Sequence, residues 1–307
     1  MATITEFFIN LSNPFLLRPF LTAIILAAVC GFIGVYVILR KMVFMVDGIA
    51  HSGFAGGALA VLMVWNPILT IGAFSLSTAF AMGYINEKGK LTNETAIGVM
   101  FAFAMAVGII FIGFIQTYTT GISSLLFGSI VTINQSEFLI LMIVSISVMV
   151  VLFFLEKELF FLSFDEELAR ANGVAVKKVS YAFLLLVAAV VIICMKSIGV
   201  ILLLALIVTP AATSYQITYN IRHMVIYSGV IGIIGAVVGF ILAYLYNIAA
   251  SAMIVVVLTA FFIIAMIISP KRRMKKEPLD EEKCEFCNRV MNAAQQCPYC
   301  EDRKSVV

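Results

Sequence analysis

The sequence predicts an all-α, polytopic membrane protein, and three observations predict it. Of the 307 residues, 63% are hydrophobic and 12% charged, half the share of about 25% that soluble domains carry. The mean hydropathy is +1.10. The apolar residues also fall in runs of about 20, the length that crosses a hydrocarbon core.

Taken in order, the runs predict membrane helices at 17–39, 46–65, 67–85, 95–116, 137–155, 179–195, 198–216, 224–246 and 250–269, nine in all. The first run lacks a basic leader and a small-residue cleavage site, so it is expected to direct its own insertion. The segment 198–216 is the weakest of the nine. Pro210 cannot donate a backbone hydrogen bond, and Thr209, Thr213 and Ser214 make the end of the segment polar. If it is broken or re-entrant, eight helices remain. Cys30 and Cys194 lie within apolar runs and read as small buried hydrophobes.

Orientation follows from the basic residues. Arg40, Lys41, Lys88, Lys90, Lys157, Arg170, Lys177, Lys178, Arg222 and everything from Lys271 onward fall on one side, and only Arg18 and Lys196 on the other. The positive-inside rule makes the loaded side cytoplasmic, with the N-terminus outside, the C-terminus inside and the protein in the cell (inner) membrane. The basic cluster after the last span is a stop-transfer anchor for anionic lipid, and no nucleic-acid partner is expected.

Two connections exceed a turn. Residues 117–136 hold an apolar core too short to span and predict an interfacial element on the outer side. The cytoplasmic connection 156–178 carries Asp165, Glu166 and Glu167 where a helix would begin and Gly173 where it would stop, matching the dipole at one end and the usual terminator at the other. The resulting short amphipathic helix places Phe164, Leu168 and Ala171 on one side. It is either a surface helix lying on the headgroups or a docking helix for a soluble partner.

Beyond the membrane domain (1–270) and a basic-then-acidic linker (271–283), the tail (284–307) carries Cys284, Cys287, Cys297 and Cys300 as two C-x-x-C turns. Four thiolates at this spacing match a closed tetrahedral zinc site, and so short a segment needs a metal or disulfide to fold. In a reducing cytoplasm, zinc is the expected staple. A redox dithiol pair is the alternative, and the ribbon is either structural or a sensor of metal supply.

Asp47 and His51 carry the functional signal. They are four residues apart, hence on one helical face, and lie about 10 and 16 Å beyond Arg40 along the helix axis. An Asp at the centre of a spanning helix costs about 2.5–3.5 kcal/mol on insertion scales, which a cation, a proton or a buried partner must offset. Carboxylate with imidazole suits zinc, manganese or iron; a hydrogen bond that merely locks two helices is the alternative. Two ligands are too few for a tight site, and a second copy of the chain would bring the number to four. Gly48, Gly53, Gly56 and Gly57 on the same helix form a small-residue face for close packing. Thr209 and Thr213 either satisfy the carbonyl that Pro210 leaves without a donor or line a pathway. The chain has no G-x-x-x-x-G-K-[ST] loop and no H-E-x-x-H, so neither ATP hydrolysis of that type nor zincin-type proteolysis is its work.

Three stretches, ILRKMVFMVDGIAHSGFAGGAL (38–59), SFDEELARANGVAV (163–176) and GVILLLALIVTPAAT (199–213), resemble the permease subunits of zinc, manganese and iron ABC importers. The resemblance covers about residues 10–270. It implies a non-enzymatic homodimeric membrane subunit with Asp47 and His51 in the metal pathway, served by a separate ATP-binding subunit and an extracytoplasmic metal-binding protein. It also implies that Phe164, Asp165, Glu166, Leu168, Ala169 and Gly173 belong to the coupling helix that docks on the ATPase, with Thr209, Pro210 and Thr213 lining the pathway. The chain departs from the pattern at Ala50 and Ala55, in the outer turn NIAASAM (247–253), and in possessing the cysteine tail. The rival readings are a gradient-driven metal carrier or channel acting without an ATPase, and a membrane anchor for the ribbon.

Overall fold

The structure is a computed structural model, and it describes residues 13–88, 93–115, 128 and 133–269. The four tail cysteines, the linker, and residues 117–127 and 129–132 of the connection 117–136 lie outside the described residues. All regular structure among the described residues is helical: α1 (Pro14–Leu39), α2 (Val43–Met63), α3 (Pro67–Lys88), α4 (Asn93–Gly113), α5 (Gln135–Phe164), α6 (Glu166–Ala171), α7 (Val176–Ile217), α8 (Ile221–Tyr246) and α9 (Ala250–Ile268). Seven are long and apolar enough to cross a membrane, and the apolar part of α4, Ile97–Gly113, is shorter.

The 42-residue α7 is two helical limbs joined at Gly199, whose φ of 78° and ψ of 168° interrupt the helix. That conformation is open essentially to glycine alone. Contacts at one end of α1 show what the interruption does. Ser180 accepts a hydrogen bond from Arg40 Nη2 at 2.8 Å, and Arg40 immediately follows α1. Ala211 clusters with Val35 of α1 and Met224 of α8. On a straight helix Ser180 and Ala211 would stand about 46 Å apart, yet both lie beside the same end of α1. The chain therefore turns back at Gly199.

The expected boundary between 179–195 and 198–216 is thus present, but the expectation that Pro210 breaks the second segment is not met. Helical geometry continues through Pro210 to Ile217. Only one hydrogen bond is lost at a proline, and close neighbours hold the backbone straight: Pro210 Cγ and the Ala27 carbonyl both press on Gly232 of α8. The reversal at Gly199 is also where Gly128, with φ of 75°, brings its backbone against Ile198.

A second correction concerns α5. The span expected at 137–155 continues helically to Phe164, because Leu159 and Leu162 are buried at a spacing that keeps one face apolar past the charges of Glu156, Lys157 and Glu158. The first turn of α5 holds Glu137, whose carboxylate accepts from Lys196 Nζ at 2.6 Å and from the Asn134 backbone N–H at 3.4 Å. This ties the start of α5 to the end of the first limb of α7.

The small helix α6 is closed at both ends by its own sequence. Asp165 is its N-cap, and Oδ1 accepts from the N–H groups of Glu167 (2.6 Å) and Leu168 (3.2 Å), satisfying donors the first turn leaves free. At the other end the Val174 N–H reaches the Ala169 carbonyl and the Gly173 N–H reaches that of Arg170, both at 3.0 Å. With Gly173 at φ 80°, this is a Schellman termination. Asp165 is therefore a cap rather than a residue of the helical turn, and Phe164 is the last residue of α5.

The turn between α1 and α2 repeats that termination with a different residue. Lys41 N–H bonds the Ile38 carbonyl and Met42 N–H that of Val37, and the left-handed position is Lys41, φ 55°. A side chain in this conformation costs about 1–2 kcal/mol relative to the right-handed region.

Candidate metal-binding site

Helix α2 has no polar cap at its N-terminus and is held instead by close packing on two sides. Gly56 lies against the backbone of Thr70 in α3, where an added Cβ would be 2.5 Å from the carbonyl oxygen, and Ala55 lies against Gly108 of α4. The small-residue face expected at Gly48 to Gly57 thus packs α2 on its neighbours. Thirteen of its 21 residues are buried.

Phe44, Asp47 and His51 form the contrast. Spaced three and four apart, they share one strip of the helix, in which Phe44 is 61% exposed and the side chains of Asp47 and His51 are 30% and 19% exposed. His51 Nδ1 stands 3.0 Å from the Asp47 carbonyl oxygen and 3.1 Å from its Oδ1. Both partners are acceptors, so Nδ1 carries a proton in this arrangement, and in the neutral ring Nε2 keeps its lone pair. Phe101 of α4 holds the ring edge-to-face at a centroid distance of 4.7 Å. A ligating histidine is commonly fixed in this way, with the second ring N–H given to a carbonyl or carboxylate. Chemically, the pair can offer one imidazole nitrogen and the remaining carboxylate oxygen to a cation. Among the described residues no group of three or more His, Cys, Asp or Glu gathers around a common point.

The other expected site residues lie elsewhere. Thr213 is buried, and its hydroxyl donates to the Thr209 carbonyl at 2.7 Å, one turn beyond the Leu206 carbonyl that Pro210 leaves without a backbone donor. The segment packs on α1 and α8, where Gly34 meets the Ile207 carbonyl and Gly232 meets Pro210. Phe164 at the end of α5 (64%) and Leu168 on α6 (52%) are exposed, whereas Ala169 on α6 is fully buried. Glu166 and Arg170 pair at 3.7 Å on its exposed side.

Two features escaped the sequence. One is Phe101, an aromatic among many on an apolar helix. The other is the setting of Arg40: its guanidinium stands 5.5 Å from the centroid of the Phe183 ring and its Nη2 is bonded to Ser180. Burial lowers its pKa from the ordinary value, and Glu166 opposes that shift. The only signal was its position at the end of the first apolar run.

Apolar helices packed around a carboxylate–imidazole pair, on a helix otherwise sealed by small residues, define a multi-pass membrane transport protein. The chain belongs to the ABC 3 transport family, which matches residues 12–269. The manganese transport system membrane protein MntC of Listeria monocytogenes is 33% identical over 258 residues, covering 84% of this chain and 92% of its own. The manganese import system permease protein ScaB of Streptococcus parasanguinis is 33% identical over 277 residues, covering 90% and 99%. Among solved structures, PsaBC from Streptococcus pneumoniae in complex with Fab superposes with a TM-score of 0.79 at 33% identity, over 88% of this chain and 98% of that one.

Proposed function

We propose that this chain is the membrane-spanning permease of an ATP-driven importer of divalent transition metal ions, with manganese the first substrate to test ahead of zinc and iron. The observation that carries the reading is the Asp47–His51 pair, in which Nδ1 is engaged by Asp47 and Nε2 stays available. An oxygen and a nitrogen donor suit a borderline-hard ion, and the relatives named for manganese support that choice.

The pathway is completed by a second copy. Two ligands do not make a closed site, and the strip Phe44–Asp47–His51 is the side of α2 that its own chain leaves partly open. A two-fold pairing across this strip brings two carboxylates and two imidazoles to one axis. ATP is hydrolysed by a separate subunit that receives α6, a reading supported by the exposed Phe164 and Leu168 and by a helix too short to persist without its caps. An extracytoplasmic binding protein delivers the ion. Nine crossings, with the two limbs of α7 counted separately and α4 included, put the termini on opposite sides, and the distribution of Lys and Arg supports an N-terminus outside and a C-terminus in the cytoplasm. Thr209, Pro210 and Thr213 line the inner part of the route. The membrane domain is 1–270, joined by linker 271–283 to a cytoplasmic tail in which Cys284, Cys287, Cys297 and Cys300 hold structural zinc; their soft donor set and spacing support this.

Calorimetric titration of the purified chain with Mn²⁺ is the direct test. Wild type binds with one ion per two chains, Asp47→Asn binds about 10- to 100-fold more weakly, and His51→Ala shows no saturable heat. Equal binding by all three proteins removes the pair from the pathway.

A further inference from the structure

A cavity of about 370 Å³ opens where the α1–α2 turn meets α6 and the start of α7. Its lining includes Arg40, Lys41, Arg170, Lys177 and Glu166, four cationic groups against one carboxylate, with Ser180 and Tyr181 beside them. Glu166 is engaged with Arg170 at 3.7 Å. Arg40 is the residue that makes the cavity more than a basic surface. Its Nη2 donates to Ser180 Oγ at 2.8 Å, while Nη1 is buried with no hydrogen-bond partner among the described residues. Buried guanidinium N–H groups are ordinarily satisfied, and the ligand that satisfies them best is an oxyanion. Lys41 adds a second observation. It occupies a left-handed backbone position, φ 55°, at a helix end where glycine is the unstrained choice, so an amine stands at the rim at the expense of backbone strain.

The geometry points to a binding site for a phosphate group in this cavity, gripped by Arg40 and Lys41 between the α1–α2 turn and α6. The phosphate comes from the headgroup of an anionic membrane lipid or from free phosphate. Basic pockets between membrane helices at the positively charged side of a bundle take such headgroups. Because the site joins α6 to the turn that starts α2, its occupant ties the short helix to the helix that carries Asp47 and His51.

The test is native mass spectrometry of the full-length chain purified from a phosphatidylcholine membrane containing phosphatidylglycerol, with a parallel titration of the lipid-free chain by inorganic phosphate followed through thermal stability. Wild type retains phosphatidylglycerol in preference to phosphatidylcholine, or is stabilised by millimolar phosphate, and which of the two occurs names the source. Lys41→Gly is the decisive variant, since it relieves the backbone and removes the amine. It melts no lower than wild type in the absence of ligand yet loses about fivefold in anion affinity, the factor that one Lys near a membrane surface contributes. Arg40→Gln loses at least as much. Equal retention of the two lipids by wild type together with no response to phosphate overturns the site, as does a Lys41→Gly protein that binds either anion as wild type does.

Discussion

Replacing Gly34 with alanine tests the chain reversal at Gly199 without touching Gly199 itself. A Cβ on Gly34 would sit 2.9 Å from the Ile207 carbonyl carbon, closer still to its oxygen, and 3.1 Å from Ala211 Cβ. The first two are backbone atoms, so no rotamer change relieves them. The second limb of α7 must withdraw from α1 by about 1 Å, and overpacking of this kind costs about 1–3 kcal/mol. Gly98→Ala is the matched control: it lies on α4, its added Cβ meets nothing within 4 Å, and alanine is favoured over glycine in a helix by about 0.8–1.0 kcal/mol. The same chemical change is therefore predicted to act with opposite signs. Thermal unfolding of the two variants in one detergent, followed by circular dichroism, reads the result: Gly34→Ala melts several degrees below wild type and Gly98→Ala at or above it. A Gly34→Ala protein as stable as Gly98→Ala would refute the contact between α1 and the second limb, and with it the argument that places Ser180 and Ala211 at one end of the bundle.

Three further outcomes follow from local geometry. Gly199→Ala forces a side chain into the backbone conformation at φ 78°, ψ 168° and is expected to lower stability by about 1–3 kcal/mol, read as a lower melting temperature; an unchanged value would contradict the observed turn. Asp165→Ala removes the cap of α6 at a cost of about 1 kcal/mol, and is expected to weaken co-purification of the proposed ATPase while leaving the melting temperature of the membrane helices unchanged. For Lys196 and Glu137, which meet at 2.6 Å and are each about one-third exposed, a double-mutant cycle with alanine is expected to give a coupling of about 0.2–1 kcal/mol. A coupling of zero would mean that the ion pair does not hold α5 to α7.

The membrane helices were legible because hydrophobic length is a strong signal and lipid leaves the backbone few alternatives to helix. The boundary near 196–198 was legible for the same reason, since Lys196 interrupts an apolar run. That Gly199 rather than Pro210 carries the break was not. Proline is a breaker by local rule, but Pro210 is packed among α1 and α8, whereas the demand for a left-handed residue at 199 arises only when the chain must reverse. The extension of α5 past Leu155 was hidden by three consecutive charged residues, of which only Lys157 is exposed, beside buried Leu159 and Leu162. Asp47 and His51 could be picked out because polar residues within a span need an explanation. How they use each other, with Nδ1 turned to the Asp47 carbonyl oxygen and Oδ1 and with Phe101 against the ring, depends on side-chain placement that no spacing encodes. The same holds for the cavity at Arg40, whose members come from the α1–α2 turn and from helices α2 to α7.

Asp47 and His51 are proposed to carry the transported ion. The most direct measurement is ATP-dependent uptake of Mn²⁺, Zn²⁺ and Fe²⁺ into vesicles containing this chain with the proposed ATPase and binding protein, comparing wild type with the Asp47→Ala/His51→Ala double variant. Wild type is expected to accumulate manganese, and the double variant to assemble normally, bind the ATPase and accumulate none of the three ions. Undiminished uptake by the double variant would contradict that role, and would leave the pair as a contact that only packs α2 against α4.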